Sequence, residues 1–316
     1  MIAAGALLAV AASWAAPGDA VTDAAQAGPD FAVQGEYRGR SDGGGRWGAQ
    51  VIALGKGAFQ AKLLKGGLPG NGWDGKTRLL LDGQRVGDDV VFSSANGWRA
   101  QIRKGQLRGL TETDAGFRLS RVERASPTLG QKPPEGAVVL FDGTSADGWQ
   151  DGKMMNGLLL VGTRTKQSFR DMTLHFEFRT PFMPEARGQG RGNSGLYLQD
   201  RYEIQILDSF GLDGVDNECG GIYRQAAPKV NMCLPPLAWQ TYDLEFRAAR
   251  FVGERKTEDA VLTLRHNGVV IHDQLKLSSI TPGGSKNRED ATPGPLQVQN
   301  HSNPVHVRNV WVVDHR

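Results

Sequence analysis

Met172-Thr-Leu-His-Phe-Glu-Phe-Arg179 is the octapeptide with the clearest structural pattern in the chain, because its polarity alternates at every residue. Its apolar side chains, Leu174, Phe176 and Phe178, share one face of an extended backbone. The polar side chains between them, such as His175, share the opposite face. A period of two with one apolar face predicts a β-strand that is buried on one side.

Further strand-like runs lie on both sides of this octapeptide and are separated by turns rich in glycine. The dipeptides Asn96-Gly97 and Asn267-Gly268 are typical of type I′ hairpins. The runs cover residues 47–54, 59–64, 77–81, 90–92, 98–102, 117–122, 196–198, 202–207, 241–246, 260–266, 269–272, 296–299 and 305–313. No helical period is sustained, so the sequence predicts an all-β protein whose C-terminal part is a two-sheet sandwich.

A proline-rich segment at 126–136 divides the chain into two predicted domains. Its three prolines stiffen the backbone and prevent strand pairing, which is typical of a linker. We predict a small antiparallel β domain of unknown role at 31–125 and a β-jelly-roll domain at 137–316. A chain of 316 residues is long enough for two such domains.

The first 16 residues are almost entirely apolar and small residues follow them, which predicts a signal peptide at 1–20 and a flexible leader at 21–30. A mis-assigned start or a buried N-terminal helix would give the same apolar run. The run is shorter than the ~20 apolar residues of a membrane span, and no later stretch could cross a membrane. We therefore expect an exported protein, periplasmic or extracellular, without a transmembrane segment in its mature form.

The charged residues argue against two classes of partner. Lysine and arginine total 37, aspartate and glutamate total 34, and the two signs are interspersed along the chain. The sequence therefore predicts no nucleic-acid partner and no polybasic membrane patch.

Only two cysteines are present, Cys219 and Cys233. In an exported protein an isolated pair suggests one disulfide. In a reducing compartment the same pair would be two buried thiols.

Eight segments of the C-terminal part occur in an order that resembles the 3-keto-disaccharide hydrolase domain family. They include Val139-Leu-Phe-Asp-Gly-Thr-Ser-Ala-Asp-Gly-Trp149, Gly192-Asn-Ser-Gly-Leu-Tyr197, Tyr202-Glu-Ile-Gln-Ile-Leu-Asp208 and Gly294-Pro-Leu-Gln-Val-Gln-Asn-His301, with shorter matches at 176–179, 219–223, 239–243 and 308–311. The N-terminal β domain resembles an extra domain that precedes some members. The resemblance implies a concanavalin-like jelly roll, as in lectins and glucanases, and cleavage of glycosides already oxidised at C3.

Glu203 and Gln205 share one face of the predicted strand 202–208, whereas Tyr202, Ile204 and Ile206 face the core. Glucanases on this fold place two carboxylates along such a strand, and a retaining enzyme needs both. Gln205 cannot ionise, so a conventional glycosidase is poorly supported. Alternatively, Glu203 and Gln205 only lie on a solvated sheet face.

A ketone at C3 acidifies the proton on C2, so one general base can start a β-elimination that expels the glycosidic oxygen, after which water adds. His301 is the predicted base, and Gln297 and Gln299 share its face if the strand continues. The resembled family has Gln-Asp-His-Gly here, whereas this chain has Gln299-Asn-His-Ser302. The alternative is a histidine that caps a turn.

The remaining site candidates are expected to contact substrate or cation. Glu203 is a candidate base or acid, and together with Asp208 a candidate ligand for a hard divalent cation, although the sequence requires no cofactor. The substrate-binding candidates are Gln205, Asn193, Arg191, Tyr197, Tyr223 and Gln299. The predicted partner is an oligosaccharide or glycoside substrate. A non-catalytic carbohydrate-binding module and a conventional glycosidase are the alternative functions.

Overall fold

The computed structural model describes residues 20–315. Residues 1–19, which hold nearly all of the predicted signal peptide, lie outside the described residues. One α-helix, α1, spans Gly28–Val33, and short 3-10 helices span Ala24–Gln26 and Gly188–Gly190. Between residues 20 and 315, no helix has the length and apolarity that a membrane crossing needs. The strands are β1 (Gly35–Ser41), β2 (Arg46–Gly55), β3 (Ala58–Lys65), β4 (Arg78–Val86), β5 (Asp89–Ser93), β6 (Arg99–Arg103), β7 (Gln106–Leu110), β8 (Gly116–Val122), β9 (Val138–Phe141), β10 (Trp149–Gln150), β11 (Met154–Met155), β12 (Leu158–Leu160), β13 (Thr163–Phe169), β14 (Met172–Arg179), β15 (Ser194–Leu198), β16 (Tyr202–Ile206), β17 (Gln240–Arg247), β18 (Arg250–Val252), β19 (Arg255–Glu258), β20 (Ala260–His266), β21 (Val269–Leu277), β22 (Gly294–Val298) and β23 (His306–Asp314).

Strands β1 to β8 form a closed antiparallel barrel in which each strand pairs with the next and β8 returns to β1. Alternate side chains point inward, as in β5, where Val90 and Phe92 are buried and their neighbours are not. The inward side chains fill the barrel with a continuous apolar cluster. This barrel confirms the small antiparallel β domain that precedes the jelly roll.

The C-terminal part is a sandwich of two antiparallel sheets. The first has the strand order β10-β13-β22-β15-β16, and the second has the order β11-β12-β23-β14-β17-β20-β21, with β9 beside β23. The core lies between them and receives Phe176 and Phe178 from β14 and Leu196, Ile204 and Val298 from the facing sheet. The predicted all-β sandwich is confirmed.

The two Asn-Gly dipeptides end in different turns. Asn267 and Gly268 both have positive φ angles, 49° and 79°, as a type I′ turn between β20 and β21 requires. In Asn96-Gly97 only the glycine has a positive φ. The connection between β5 and β6 is a longer loop, in which the Ser94 N–H donates to the Trp98 carbonyl and the Gly97 N–H donates to the Ser94 carbonyl. The type I′ prediction there is wrong.

The segment predicted as a flexible leader packs instead at the junction of the barrel and the sandwich. Val21 pairs with Phe182 through two backbone hydrogen bonds, and the Phe31 ring lies edge-on at 5.4 Å from the Phe182 ring. Asp30, in the first turn of α1, accepts from the Gly57 N–H at 2.9 Å and from Arg85 at 2.8 Å. The prediction is wrong because it overlooked an apolar anchor and a helix with a proline in its first turn.

The proline-rich segment 126–136 contains no strand and lies on the outer face of the larger sheet. Thr128 Oγ1 donates to Asp243 Oδ2 at 2.6 Å, and the Gly130 N–H donates to Glu177 Oε1 at 2.5 Å. His175 and Glu177 have no solvent exposure. Their strand is therefore buried on both faces, and the expectation of one exposed face is wrong.

Candidate functional site

One row of side chains crosses the five-stranded sheet on the face opposite the core. Direct register partners run from Gln150 on β10 through Arg164 on β13, Gln297 on β22 and Tyr197 on β15 to Glu203 on β16. In each strand the residues before and after the row member point to the opposite face, toward the core. The row itself is therefore a line of polar side chains on the outer face of the sheet. The strand order thus assembles five polar groups that lie far apart along the chain.

A cavity of about 510 Å3 lies over this polar face. Arg164, Gln297 and Gln299 line it from the sheet, and Gly283 lines it from the loop that follows β21. The other lining residues are Gln150, Asp151, Gly162, Thr163 and Asn300. This size suits a monosaccharide or disaccharide unit, so the cavity is the candidate substrate site.

Glu203 is the ionisable group at the end of the polar row and is only 3% exposed. Burial raises the pKa of its carboxyl to about 7, against a smaller opposing effect from the Tyr197 hydroxyl, which hydrogen-bonds to Oε2 at 2.8 Å. A carboxyl with this pKa exchanges its proton near neutral pH, which is the property that a general base or acid needs.

The Tyr197 hydroxyl has one proton and two possible acceptors, the Glu203 carboxyl and the Pro282 carbonyl. It lies 2.8 Å from Glu203 Oε2 and 2.7 Å from the Pro282 carbonyl, and Gln299 Nε2 donates to it at 3.2 Å. Burial and the nearby Glu203 carboxyl raise the pKa of Tyr197, so the hydroxyl keeps its single proton. Tyr197 therefore donates to Glu203 when that carboxyl is ionised, and is free to donate to Pro282 when Glu203 holds a proton.

The second carboxyl oxygen of Glu203, Oε1, accepts no hydrogen bond from any residue between 20 and 315. It lies over Gly195, where an added Cβ would be 2.2 Å from it. Glycine at position 195 therefore leaves room for this oxygen. Glu203 itself is not among the residues that line the cavity.

Replacing Gly195 by alanine should displace the Glu203 carboxyl by a fraction of an ångström to about 1 Å. A misplacement of that size at a reacting group costs up to about 100-fold in rate, so we expect activity to fall about 10- to 100-fold with little change in unfolding. Gly43→Ala is the matched control, because an added Cβ there has no atom within 4 Å. Equal activities for the two variants would contradict this role for Gly195.

Gln205 lies two residues from Glu203 on the same strand face, and it is joined to Asn193 through Gln189. Gln205 Nε2 donates to Gln189 Oε1 at 2.9 Å, and Asn193 Nδ2 donates to the Gln189 carbonyl at 2.8 Å. Asn193 Oδ1 is buried without a hydrogen-bond partner among the described residues. Strand β16 ends at Ile206, two residues earlier than predicted, and Gln205 keeps the predicted face.

Arg191 and Asp208 are paired with each other and do not line the cavity. Arg191 Nε donates to Asp208 Oδ2 at 2.7 Å, and both side chains are nearly fully buried. The Arg191 guanidinium is engaged by Asp208, and its substrate contact stays a prediction. In the described part of the chain no three His, Cys, Asp or Glu side chains converge, so Glu203 and Asp208 do not fit the cation site considered from the sequence.

His301 lies in a turn after β22, because the strand ends at Val298 rather than continuing. The Asn300 side chain accepts from the Ser302 N–H at 2.8 Å and closes this turn. His301 is exposed. Gln299 and Asn300 line the cavity, so His301 follows directly on two lining residues.

The backbone of Tyr223 lies next to β16, because the Tyr223 N–H donates to the Glu203 carbonyl at 3.3 Å. Its half-buried ring packs against Arg224.

Cys219 and Cys233 are free thiols in the core, with Cys219 Sγ 3.2 Å from the Tyr242 hydroxyl. The two thiols contact each other, and the disulfide stays a prediction.

The comparison with family models gives a match over residues 136–313 to the 3-keto-alpha-glucoside-1,2-lyase-like domain. The chain belongs to this family. The match confirms the resemblance of the C-terminal sandwich, and it leaves out the β1–β8 barrel. The comparison with curated proteins gives no match.

Two solved structures from Parabacteroides distasonis ATCC 8503, each described as a "putative glycosyl hydrolase", are similar to this chain. The first has 29% identity and a TM-score of 0.53, covering 57% of this chain and 84% of its own. The second has 17% identity and a TM-score of 0.42, covering 58% of this chain and 95% of its own.

Arg164 is the lining cation among several lining residues that the sequence did not reveal. Its Nη1 lies 3.3 Å from Asp200 Oδ2 and 3.1 Å from Ser285 Oγ, and its side chain is 37% exposed. A strand at 163–169 could have been found from the alternating Thr163 and Thr165, both buried. Its place beside β22 depends on the sheet order, which no local pattern gives.

Proposed function

We propose that this domain cleaves 3-keto-glycosides by β-elimination across C1 and C2, followed by addition of water. The observation that supports this most is Glu203, a single carboxyl with a pKa of about 7 whose neighbours on the polar face are amides and a tyrosine. Elimination next to a ketone needs one base and stabilisation of an enolate. It does not need a carboxylate nucleophile.

The other carboxylates near the cavity do not form a glycosidase pair with Glu203. Asp151 follows β10, four strand spacings from β16, which corresponds to about 19 Å across the sheet. Paired glycosidase carboxylates lie about 5 to 9.5 Å apart. Asp200 is engaged by Arg164 and by the Ser285 N–H at 3.1 Å.

In the proposed reaction, Glu203 Oε1 takes the proton from C2 and the C–H electron pair passes into an enolate with its charge on the C3 oxygen. Arg164 offers that charge a guanidinium of which only Nη1 is engaged by the described residues. The enolate electrons then form the C1–C2 double bond and expel the glycosidic oxygen. We assign the proton for this leaving group to His301, because it is exposed next to the lining residue Asn300.

Hydration completes the net hydrolysis. Water adds its oxygen to C1, and C2 regains a proton, which yields the free 3-keto sugar and the released alcohol. Gln297 and Gln299 are the proposed contacts for sugar hydroxyls. Their Oε1 atoms are buried without a hydrogen-bond partner in the described structure, and a donor from the substrate would satisfy them.

The test compares a 3-keto aryl glucoside with the unoxidised glucoside in D2O. We expect release of the aryl alcohol from the oxidised compound only, with deuterium at C2 of the sugar product, because the C2 proton leaves during elimination. Cleavage of both compounds at similar rates, or a product without deuterium, would contradict the elimination. Binding of the oxidised sugar without turnover would favour a carbohydrate-binding module.

A further inference from the structure

The barrel contacts the segment 184–193, which lies beside the polar row, through two arginines. Arg187 Nη2 donates to the Leu54 carbonyl at 2.8 Å, and Arg191 Nη1 donates to the Ala53 carbonyl at 3.3 Å. Both acceptors are backbone groups of β2. The barrel therefore meets the segment with main-chain atoms, whose positions are fixed by the barrel itself.

These two carbonyls are available because the regular pairing of β2 ends there. Strand β1 begins at Gly35, which pairs with Val51, so β1 offers no partner to Ala53. The Ala53 N–H is bound by the Gln34 side chain at 2.9 Å, which leaves the carbonyl for Arg191. The register between β2 and β3 shifts between Ala53 and Gly55, so Leu54 is the unpaired residue of a bulge.

Additional contacts hold both ends of the region that surrounds β16. Lys56 on the barrel pairs with Glu185 at 3.3 Å, and an added Cβ on Gly55 would lie 2.4 Å from the Glu185 side chain. After β16, Lys62 Nζ pairs with Asp213 at 2.7 Å and donates to the Gly211 carbonyl at 3.1 Å.

The opposite side of the segment contacts the candidate site. Gln189 lies between the two arginines, accepts from Gln205 Nε2 at 2.9 Å and donates to the Asn217 carbonyl at 2.8 Å. Gln205 is two residues from Glu203 on the same strand face. Hydrogen bonds at the two arginines and at Gln189, together with the short backbone between them, thus join the β2 bulge to Gln205.

We propose that the barrel is a positioning element of this site, and that Arg187 and Arg191 are positioning residues that fix Gln189 against Gln205. The effect of this positioning on catalysis rests on the proposed function. The inference assigns a role to the β1–β8 barrel, which lies outside the family match, and it gives Arg191 a role other than the predicted substrate contact.

The test is the double variant Arg187→Met/Arg191→Lys in the full chain. The lysine keeps a cation against Asp208, so Asp208 is not left buried beside a neutral side chain. We expect hydrogen exchange in residues 184–193 to rise about 5- to 30-fold, because the variant removes the arginine hydrogen bonds to the barrel together with those to the Pro184 and Ala186 carbonyls within the segment. KM for the 3-keto glucoside should rise by a similar factor, while the pH profile of kcat, set by Glu203, stays unchanged.

Arg78→Met is the matched control, because Arg78 pairs with Asp213 across the same junction at 2.9 Å and does not touch the segment. Unchanged exchange in the double variant, or an equal rise in the control, would overturn the proposal. If the wild-type protein releases no alcohol from the 3-keto substrate, the proposed function fails, and the exchange measurement still decides whether the two arginines hold the segment.

Discussion

Glu203→Gln should lower kcat for a 3-keto aryl glucoside by about 100- to 10,000-fold, the range that a positioned general base contributes. Glutamine keeps the size and the hydrogen bond to Tyr197 but cannot take a proton. Steady-state kinetics at pH 7.5 measures the effect, with Glu245→Gln as the matched control on the exposed face of β17. A Glu203→Gln enzyme with more than about a tenth of the wild-type kcat would remove this residue from the proton transfer.

The pH profile gives an independent measure of the same group. Because the base form of Glu203 prevails only above a pKa of about 7, kcat should rise with pH through that value. In Glu203→Gln the residual rate should lose this step. A wild-type profile whose step lies near the ordinary glutamate value would show that another group limits the rate.

The raised pKa of Glu203 also fixes the sign of its effect on stability. The unfolded chain loses this proton near pH 4.5, whereas the folded chain holds it to about pH 7. Between these values the unfolded state binds fewer protons, so wild type loses stability as the pH rises, by roughly 3 kcal/mol in all. Glu203→Gln has no such proton to lose, so its free energy of unfolding relative to that of wild type should rise between pH 4.5 and pH 8. The same unfolding measurement also shows that the inactive variant is folded.

The period of two was enough to predict the sandwich and the shared face of Glu203 and Gln205. Leu174, Phe176, Ile204 and Ile206 all lie in the core. Strand alternation is a local property, since each side chain's face follows from its own position in the strand. The sequence therefore reveals which side chains share a face without any knowledge of the neighbouring strands.

The composition of the site depends on contacts between distant segments, and there the sequence was less informative. Arg164 lines the cavity because β13 lies beside β22. Arg191 instead donates hydrogen bonds to Asp208 and to the Ala53 carbonyl of β2. His301 was expected on the polar face, but the strand ends at Val298. No local pattern in the sequence distinguishes the two arginines.

His175 shows the same limit on the other sheet. Its place in an alternating strand predicted solvent exposure, but the segment 126–136 covers it. Its ring stacks on Trp311 with centroids 5.2 Å apart and hydrogen-bonds to Asp243 at 2.6 Å and Glu177 at 3.2 Å. Burial favours the neutral imidazole, but these two carboxylates outweigh it and raise the pKa of His175 above 6.5.

Glu177 joins this network to the linker, so we expect Glu177→Gln to destabilise the protein by about 3 to 5 kcal/mol, the usual cost of breaking a buried ion pair. Its carboxyl accepts from the Gly130 N–H at 2.5 Å and from Arg308 at 2.7 Å. Burial acts to raise its pKa, but the hydrogen bonds from His175, Asn309, Gly130 and Arg308 lower it to about 2. Urea unfolding at pH 5.5 measures the loss, and Glu245→Gln should stay within about 0.5 kcal/mol of wild type.

The pH dependence of this network follows from the two shifts. The contribution of Glu177 is complete above pH 4.5 and disappears as the pH falls toward 2, whereas that of His175 is complete below 6.5 and disappears as the pH rises through its raised pKa. The linker should therefore be held most firmly between about pH 4.5 and 6.5.

The test of this pH dependence compares two proteins that both carry Glu203→Gln, because Glu203 titrates in an overlapping range. One of them keeps His175, and the other also carries His175→Gln. Hydrogen exchange at residues 126–131 should rise between pH 6 and 9, after correction for the intrinsic rate, only where His175 is present. Equal rises in the two proteins would show that another group holds the linker to the sheet.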